Sequence, residues 1–267
     1  MNRIDSLFSR LKTERRSAMI AYITGGDPSL EVSANIAIAL EQAGVDLLEL
    51  GVPFSDPLAD GATIQAASSR ALAAGATVPG ILDLVREIRK TSQIPIVLFA
   101  YLNPVYIYGF ARFQEDATIA GADGLLLLDL PPQEASRNSE LASSHGLKTI
   151  RLIAPTTPPE RLKEITDAAE GFIYYVSREG VTGEQTSLST DIAERLAAIR
   201  ALTQVPIAVG FGISNPEQAA TVAALADGVV VGSAIVRKIG EYAGQADLAE
   251  RIADFVRPIA EAVRKTS

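Results

Sequence analysis

Eight short, nearly continuous apolar runs recur along the chain: AMIAYIT (18 to 24), DLLEL (46 to 50), PIVLFAY (95 to 101), DGLLLLDL (123 to 130), KTIRLI (148 to 153), GFIYYV (171 to 176), PIAVG (206 to 210) and DGVVVG (227 to 232). A strand without a polar face has no side to turn to water, so such runs belong in a parallel sheet covered on both faces. Alanine-rich or amphipathic segments of helical length separate them. Eight such units predict an α/β fold, a (β/α)8 TIM barrel, since an open doubly wound sheet more often stops at about five to seven strands.

Weak internal echoes support one repeated unit. AGVDLLEL, AGADGLLLLDL and LADGVVVG each place a small residue and an aspartate just before a strand, and IPIVLFAYLNP resembles VPIAVGFGISNP. No linker, composition shift or low-complexity segment divides the 267 residues, which predicts a single domain over 1–267. Before the first strand, Ile4, Leu7, Phe8 and Leu11 recur at helical spacing, predicting an extra N-terminal helix laid against the body of the domain rather than a targeting peptide.

Composition removes several functions. With 24 basic against 32 acidic residues the net charge is -8, which opposes attraction to a phosphate backbone. There is no cysteine, hence no disulfide, thiolate metal site or cysteine nucleophile. No apolar run approaches the roughly 18 residues of a membrane span. These features together suggest a cytoplasmic protein.

In a barrel of this kind the chemistry sits at the C-terminal ends of the strands and in the loops that follow. ELGVPFSDPLADG (49 to 61) lies there, with Glu49 ending the second strand and Asp56 and Asp60 in its loop before a helix beginning near Ala62. Gly51 permits unusual backbone angles, while Pro53 and Pro57 fix φ and disfavour helix at the preceding residue. Glu49, flanked by Leu48 and Leu50, is either a partly desolvated acid with a raised pKa or one half of a structural salt bridge. Asp60 is either a functional carboxylate or a helix cap.

At the seventh strand GFGISNP (210 to 216), and at the eighth GSA (232 to 234), glycines admit a phosphate to backbone N–H groups, a common position for phosphate in such barrels. The stretch from Ser177 and Arg178 through EGVTGEQTSLST reads as a mobile lid or as an ordinary surface loop. Asp129 either orients a substrate or accepts backbone hydrogen bonds within its loop. The only histidine, His145, falls on the wrong face for catalysis, and no lysine stands at a strand end for a Schiff base. Metal-centred, Ser-His-Asp and imine chemistry are therefore not expected. Acid–base work falls to carboxylates and tyrosine.

Six segments make a closer match. YITGGDP (22 to 28), LELGVPFSDPLADG (48 to 61), YLNPVYIYG (101 to 109), SREGVTGEQT (177 to 186), VGFGIS (209 to 214) and VGSAIV (231 to 236) run in order over most of the chain, and through them it resembles the alpha chain of tryptophan synthase. The resemblance implies retro-aldol cleavage of indole-3-glycerol phosphate to indole and glyceraldehyde 3-phosphate. It makes Glu49 the principal acid–base residue, Asp60 the carboxylate that stabilises the indole N–H, and Tyr174 the active-site tyrosine, with Tyr175 on the opposite face of the strand. Gly183, Phe211, Gly212, Gly232 and Ser233 map onto phosphate-contacting positions. Tyr22 and Gly210 complete the substrate-binding set, and Thr182 matches a lid threonine that approaches Asp60.

The family also implies a beta-chain partner in an α2β2 complex with indole channelling, which Pro53 and Asp56 would face. Pyridoxal phosphate belongs to that partner, so no cofactor and no metal is expected here. Departures from the family pattern are Tyr22 where phenylalanine is common, Gly25 where alanine is frequent, and Leu128 where proline is common; they bear on the lining of the pocket. A stand-alone lyase releasing free indole and a phosphate-ligand-binding regulatory subunit are the rival readings, and the presence of both Glu49 and Asp60 argues against the second.

Overall fold

A computed structural model of the chain describes residues 1–130, 145–176, 185–210 and 212–265, those from 185 to 191 by backbone alone. Nine strands are formed among the described residues: β1 (Ala18–Thr24), β2 (Leu47–Gly51), β3 (Ile96–Ala100), β4 (Gly124–Leu127), β5 (Lys148–Thr149), β6 (Arg151–Ile153), β7 (Ile173–Val176), β8 (Ile207–Gly210) and β9 (Gly228–Val231). Their order is β5-β4-β3-β2-β1-β9-β8-β7-β6, with every pairing parallel. The expected fifth strand is interrupted at Ile150. Its first half pairs with β4 and its second with β7, so this one stretch closes the TIM barrel.

The aspartates of the sequence echoes have a shared task. Each accepts the N–H of the first or second residue of the preceding strand: Met19 N–H to Asp46 at 2.9 Å, Ile96 N–H to Asp123 at 2.9 Å and Ile207 N–H to Asp227 at 2.9 Å. An arginine neutralises each one, Arg16 on Asp46, Arg3 and Arg89 on Asp123, Arg200 on Asp227. Because these aspartates are used as strand-start caps, they stand outside the strands.

Alternation sorts the strand residues into two cores. Ala18, Ile20, Leu47, Val97, Leu126, Phe172, Ala208 and Val230 point inward and pack on one another. Met19, Ala21, Leu48, Leu50, Leu98 and Tyr175 point outward against the surrounding helices. The helix Arg3–Glu14 goes further than lying against the body: Ile4, Leu7, Phe8 and Leu11 belong to the inner core, and the helix plugs the N-terminal mouth of the barrel. Asn2 caps it and ties it down, donating to the carbonyls of Asp123 at 2.8 Å and Gly146 at 2.9 Å.

Some crossovers hold two helices where one suffices. After β2 come Ala62–Ala73 and Val78–Arg89, separated by Gly75 at φ 87° and by Thr77, whose side chain caps the second helix. After β3 come Leu102–Tyr108 and Phe110–Ala120, separated by Gly109 at φ 100°. No helix among the described residues is long and apolar enough to cross a membrane.

Candidate active site

With the N-terminal mouth plugged, space remains at the C-terminal one. A cavity of about 620 Å³ opens there, and Tyr22, Glu49, Asp60, Tyr174, Gly210, Gly212, Gly232 and Ser233 all line it. These expected site residues come from five strands or their loops and are therefore assembled only by closure of the barrel. Thr182, Gly183 and Phe211 lie outside the described residues.

Glu49 sits in β2 opposite Tyr22 of β1 and Val97 of β3. It is fully buried, and neither carboxyl oxygen has a hydrogen-bond partner among the described residues. The salt-bridge alternative therefore fails. Burial alone pushes its pKa up from the ordinary 4.5 to about 8, since a desolvated carboxylate is costly and the neutral acid is not. At neutral pH the group is a poised proton donor.

Three aromatic rings surround it. Tyr22 meets Phe99 edge-on at 5.2 Å, and Phe99 meets Tyr174 at 6.5 Å. Each tyrosine leans across the neighbouring strand over a glycine: a Cβ on Gly51 would collide with the Tyr22 hydroxyl, and one on Gly210 with that of Tyr174. Burial raises both phenol pKa values, with the nearby Glu49 adding to the effect. Both therefore stay neutral donors. Among the described residues the Tyr22 hydroxyl has only Thr24 Oγ1 at 3.5 Å, the limit of a hydrogen bond.

Asp60 approaches from the β2 loop. The helix it precedes is capped at Gly61 without any side-chain hydrogen bond, so the capping alternative fails as well. Its loop is held by Ala59 N–H donating to the Tyr101 hydroxyl at 3.0 Å and by Gln65 Nε2 donating to the Asp60 carbonyl at 2.9 Å. Desolvation raises the Asp60 pKa, with the Tyr101 hydroxyl pulling the other way. Elsewhere in this loop Pro53 is buried, whereas Asp56 is exposed and accepts from Ser55 Oγ at 2.6 Å.

The opposite wall is suited to an anion. The helix Ser233–Tyr242 begins at Gly232 with no side-chain cap, and its first backbone bond is Val236 N–H to the Gly232 carbonyl. The N–H groups of Ser233, Ala234 and Ile235 therefore lack helical partners at the positive end of the helix dipole. Gly212 follows β8 at φ 64°, a left-handed geometry that glycine tolerates.

Asp129 accepts the Leu102 N–H at 2.6 Å, the loop-stabilising role of the two considered. Leu128 does line the cavity. Phe99 and Tyr101 were missed by sequence reasoning. Phe99 was within reach of it, because it shares the inward parity of Val97; the contact of Tyr101 with the β2 loop has no local signal. No cluster of three or more His, Asp or Glu among the described residues is placed to hold a metal ion.

Comparison with known proteins agrees with this geometry. The family model for the tryptophan synthase alpha chain matches residues 8–264. The tryptophan synthase alpha chain of Geobacter sulfurreducens is 50% identical over 263 residues, 98% of this chain and 99% of the relative. That of Opitutus terrae is 52% identical over 244 residues, 91% of this chain and 92% of the relative. Among solved structures, tryptophan synthase subunit alpha from Legionella pneumophila superposes with a TM-score of 0.91 at 41% identity, covering 98% of each chain. Sequence and shape therefore agree that the chain belongs to the tryptophan synthase alpha chain family.

Proposed function

We propose that this chain, as a single barrel domain, cleaves indole-3-glycerol phosphate to indole and glyceraldehyde 3-phosphate with Glu49 as its acid–base group. The observation that carries the assignment is the fully buried Glu49 carboxyl, without a hydrogen-bond partner among the described residues and set among aromatic rings in the same cavity as an uncapped helix N-terminus.

The phosphate binds the free N–H groups after Gly232, with Gly212 beside them, and the indole lies among Tyr22, Phe99 and Tyr174. Glu49 gives its proton to indole C3, forming an indolenine with a cationic nitrogen. Asp60 accepts a hydrogen bond from that N–H and stabilises the charge as it grows. The Glu49 carboxylate then takes the proton of the glycerol hydroxyl next to the ring. As the carbonyl forms, the carbon–carbon bond breaks and its electron pair returns to the ring, so indole leaves and Glu49 is again protonated. Burial serves both halves of the cycle, because it holds the proton at neutral pH and makes the carboxylate a stronger base than an exposed glutamate.

The chain acts in the cytoplasm as the alpha subunit of a complex with a beta chain, in an α2β2 arrangement that passes indole to the partner. It needs no cofactor of its own, pyridoxal phosphate being the partner's. Support for a docking face comes from Leu58, two residues beyond Asp56 in the β2 loop, and from Tyr106 and Ile107 in the helix that follows β3, which are 92%, 73% and 77% exposed. Their two segments are joined through Tyr101, which holds Ala59 and packs against Phe54 at 5.4 Å.

An assay of indole release with and without a beta chain tests this. Glu49→Gln is expected to lower turnover by about 10²- to 10⁴-fold while a phosphate-bearing substrate analogue still binds. Turnover near that of the unaltered chain would remove Glu49 from the mechanism.

A further inference from the structure

The N-terminal face of the barrel, remote from the cavity just described, carries a second depression of about 420 Å³. It lies between the end of the N-terminal helix and the loop entering β8. Its floor is the nearly buried Phe8 and Leu11 of the helix, the half-buried Val205 and Pro206 of the loop supply accessible apolar lining, and Lys12, Arg15, Arg16 and Arg200 supply positive charge beside the single carboxylate of Asp227. Arg16 is committed to Asp46 and Glu14, and Arg200 to Asp227. Among the described residues Lys12 and Arg15 have no ion pair or side-chain hydrogen bond, in a chain whose net charge is -8.

Arg15 stands out for a second, independent reason. The helix ends in crossed backbone bonds, Arg16 N–H to the Leu11 carbonyl at 3.1 Å and Arg15 N–H to the Lys12 carbonyl at 3.4 Å, with Arg15 at φ 52°. That is a Schellman turn, whose left-handed position is usually glycine. Among the described residues Arg15 is the one non-glycine residue with positive φ. The turn thus holds an exposed guanidinium, without a carboxylate partner among the described residues, at the edge of the depression.

We propose that this depression binds a small organic anion with an apolar body, an aryl or alkyl carboxylate. The planar guanidinium of Arg15 matches a carboxylate fork, Lys12 adds a second positive charge, and the apolar lining takes the hydrocarbon part. Free phosphate satisfies the charges but not the lining. The proposal does not depend on the reaction at the other end of the barrel.

The test is a titration of the isotopically labelled full chain followed by ¹H–¹⁵N NMR at fixed ionic strength, with benzoate, its neutral analogue benzamide and inorganic phosphate as probes. Benzoate is expected to shift the amides of Lys12, Arg15 and Gln204 saturably, and benzamide and phosphate to bind more weakly by about fivefold or more. Arg15→Gly relieves the backbone strain, so its Tm is expected to stay level or rise while benzoate affinity falls by about fivefold. Arg15→Asn, which also tolerates the left-handed turn, serves as a second variant. No saturable shift at these amides, equal binding of benzoate and phosphate or of benzoate and benzamide, or unchanged benzoate affinity in both variants would each overturn the site.

Discussion

Glu49 links activity to stability through one proton. Its carboxyl ionises near 4.5 in an unfolded chain and near 8 in the fold, so between those values the native state holds a proton that the unfolded state has released. Stability therefore falls as pH rises from about 4.5 to about 8 and levels off above. Glu49→Gln removes the titration while keeping the shape. The variant is expected to gain stability relative to the unaltered chain at pH 8 compared with pH 5, by about 3–4 kcal/mol, as measured by urea unfolding at the two pH values. Activity follows the same group: kcat/KM is expected to decline above about pH 8 as the donor deprotonates. This residue was legible in the sequence because its signal is local, an acid between two leucines at a strand end. The leaning of Tyr22 over Gly51 was not, since barrel register decides which residue faces which. Gly51→Ala is expected to displace the Tyr22 ring and lower kcat/KM by about 10- to 100-fold. Adding Tyr22→Phe, which removes the atom in closest collision, should restore part of the loss.

The strands show where sequence reading of elements succeeds and where it stops. Eight apolar runs were enough to give the barrel, since both faces of every strand are covered. The repeated aspartates were visible as an echo, but their use was not, because each reaches across to the start of the preceding strand. Asp123 accepts from the Ile96 N–H, Arg3 and Arg89 while only 3% exposed. Asp123→Ala leaves the Ile96 N–H without its acceptor and the largely buried Arg89 without its carboxylate, although Arg89 still donates to the Gly121 and Ile94 carbonyls, so a loss of about 3–5 kcal/mol is expected in chemical unfolding, with the active-site geometry spared. The paired helices after β2 and β3 escaped notice for a different reason. Gly75 and Gly109 break them within segments whose apolar spacing continues on either side, so spacing alone does not show the break.

The molecule as a whole uses its two ends differently. The N-terminal helix seals one mouth with Phe8 against Phe172 at 5.7 Å, while Leu58, Tyr106 and Ile107, on the segments that follow β2 and β3, leave three large apolar side chains exposed toward the other. Water contact at three large apolar groups on adjoining segments is unfavourable in an isolated chain and becomes favourable once a partner covers them. Because these residues are outside the cavity, their role separates from the chemistry. Ile107→Asp is expected to leave cleavage by the isolated chain unchanged, for it lines the cavity neither at Glu49 nor at the uncapped helix start after Gly232. It is also expected to weaken association with a beta chain by on the order of 100-fold, since a charge would then be buried against an apolar surface. Stimulation of indole release, titrated with increasing beta chain, reads this directly. A variant stimulated at the same beta-chain concentration as the unaltered protein would place the partner on another face and return the stand-alone lyase to consideration.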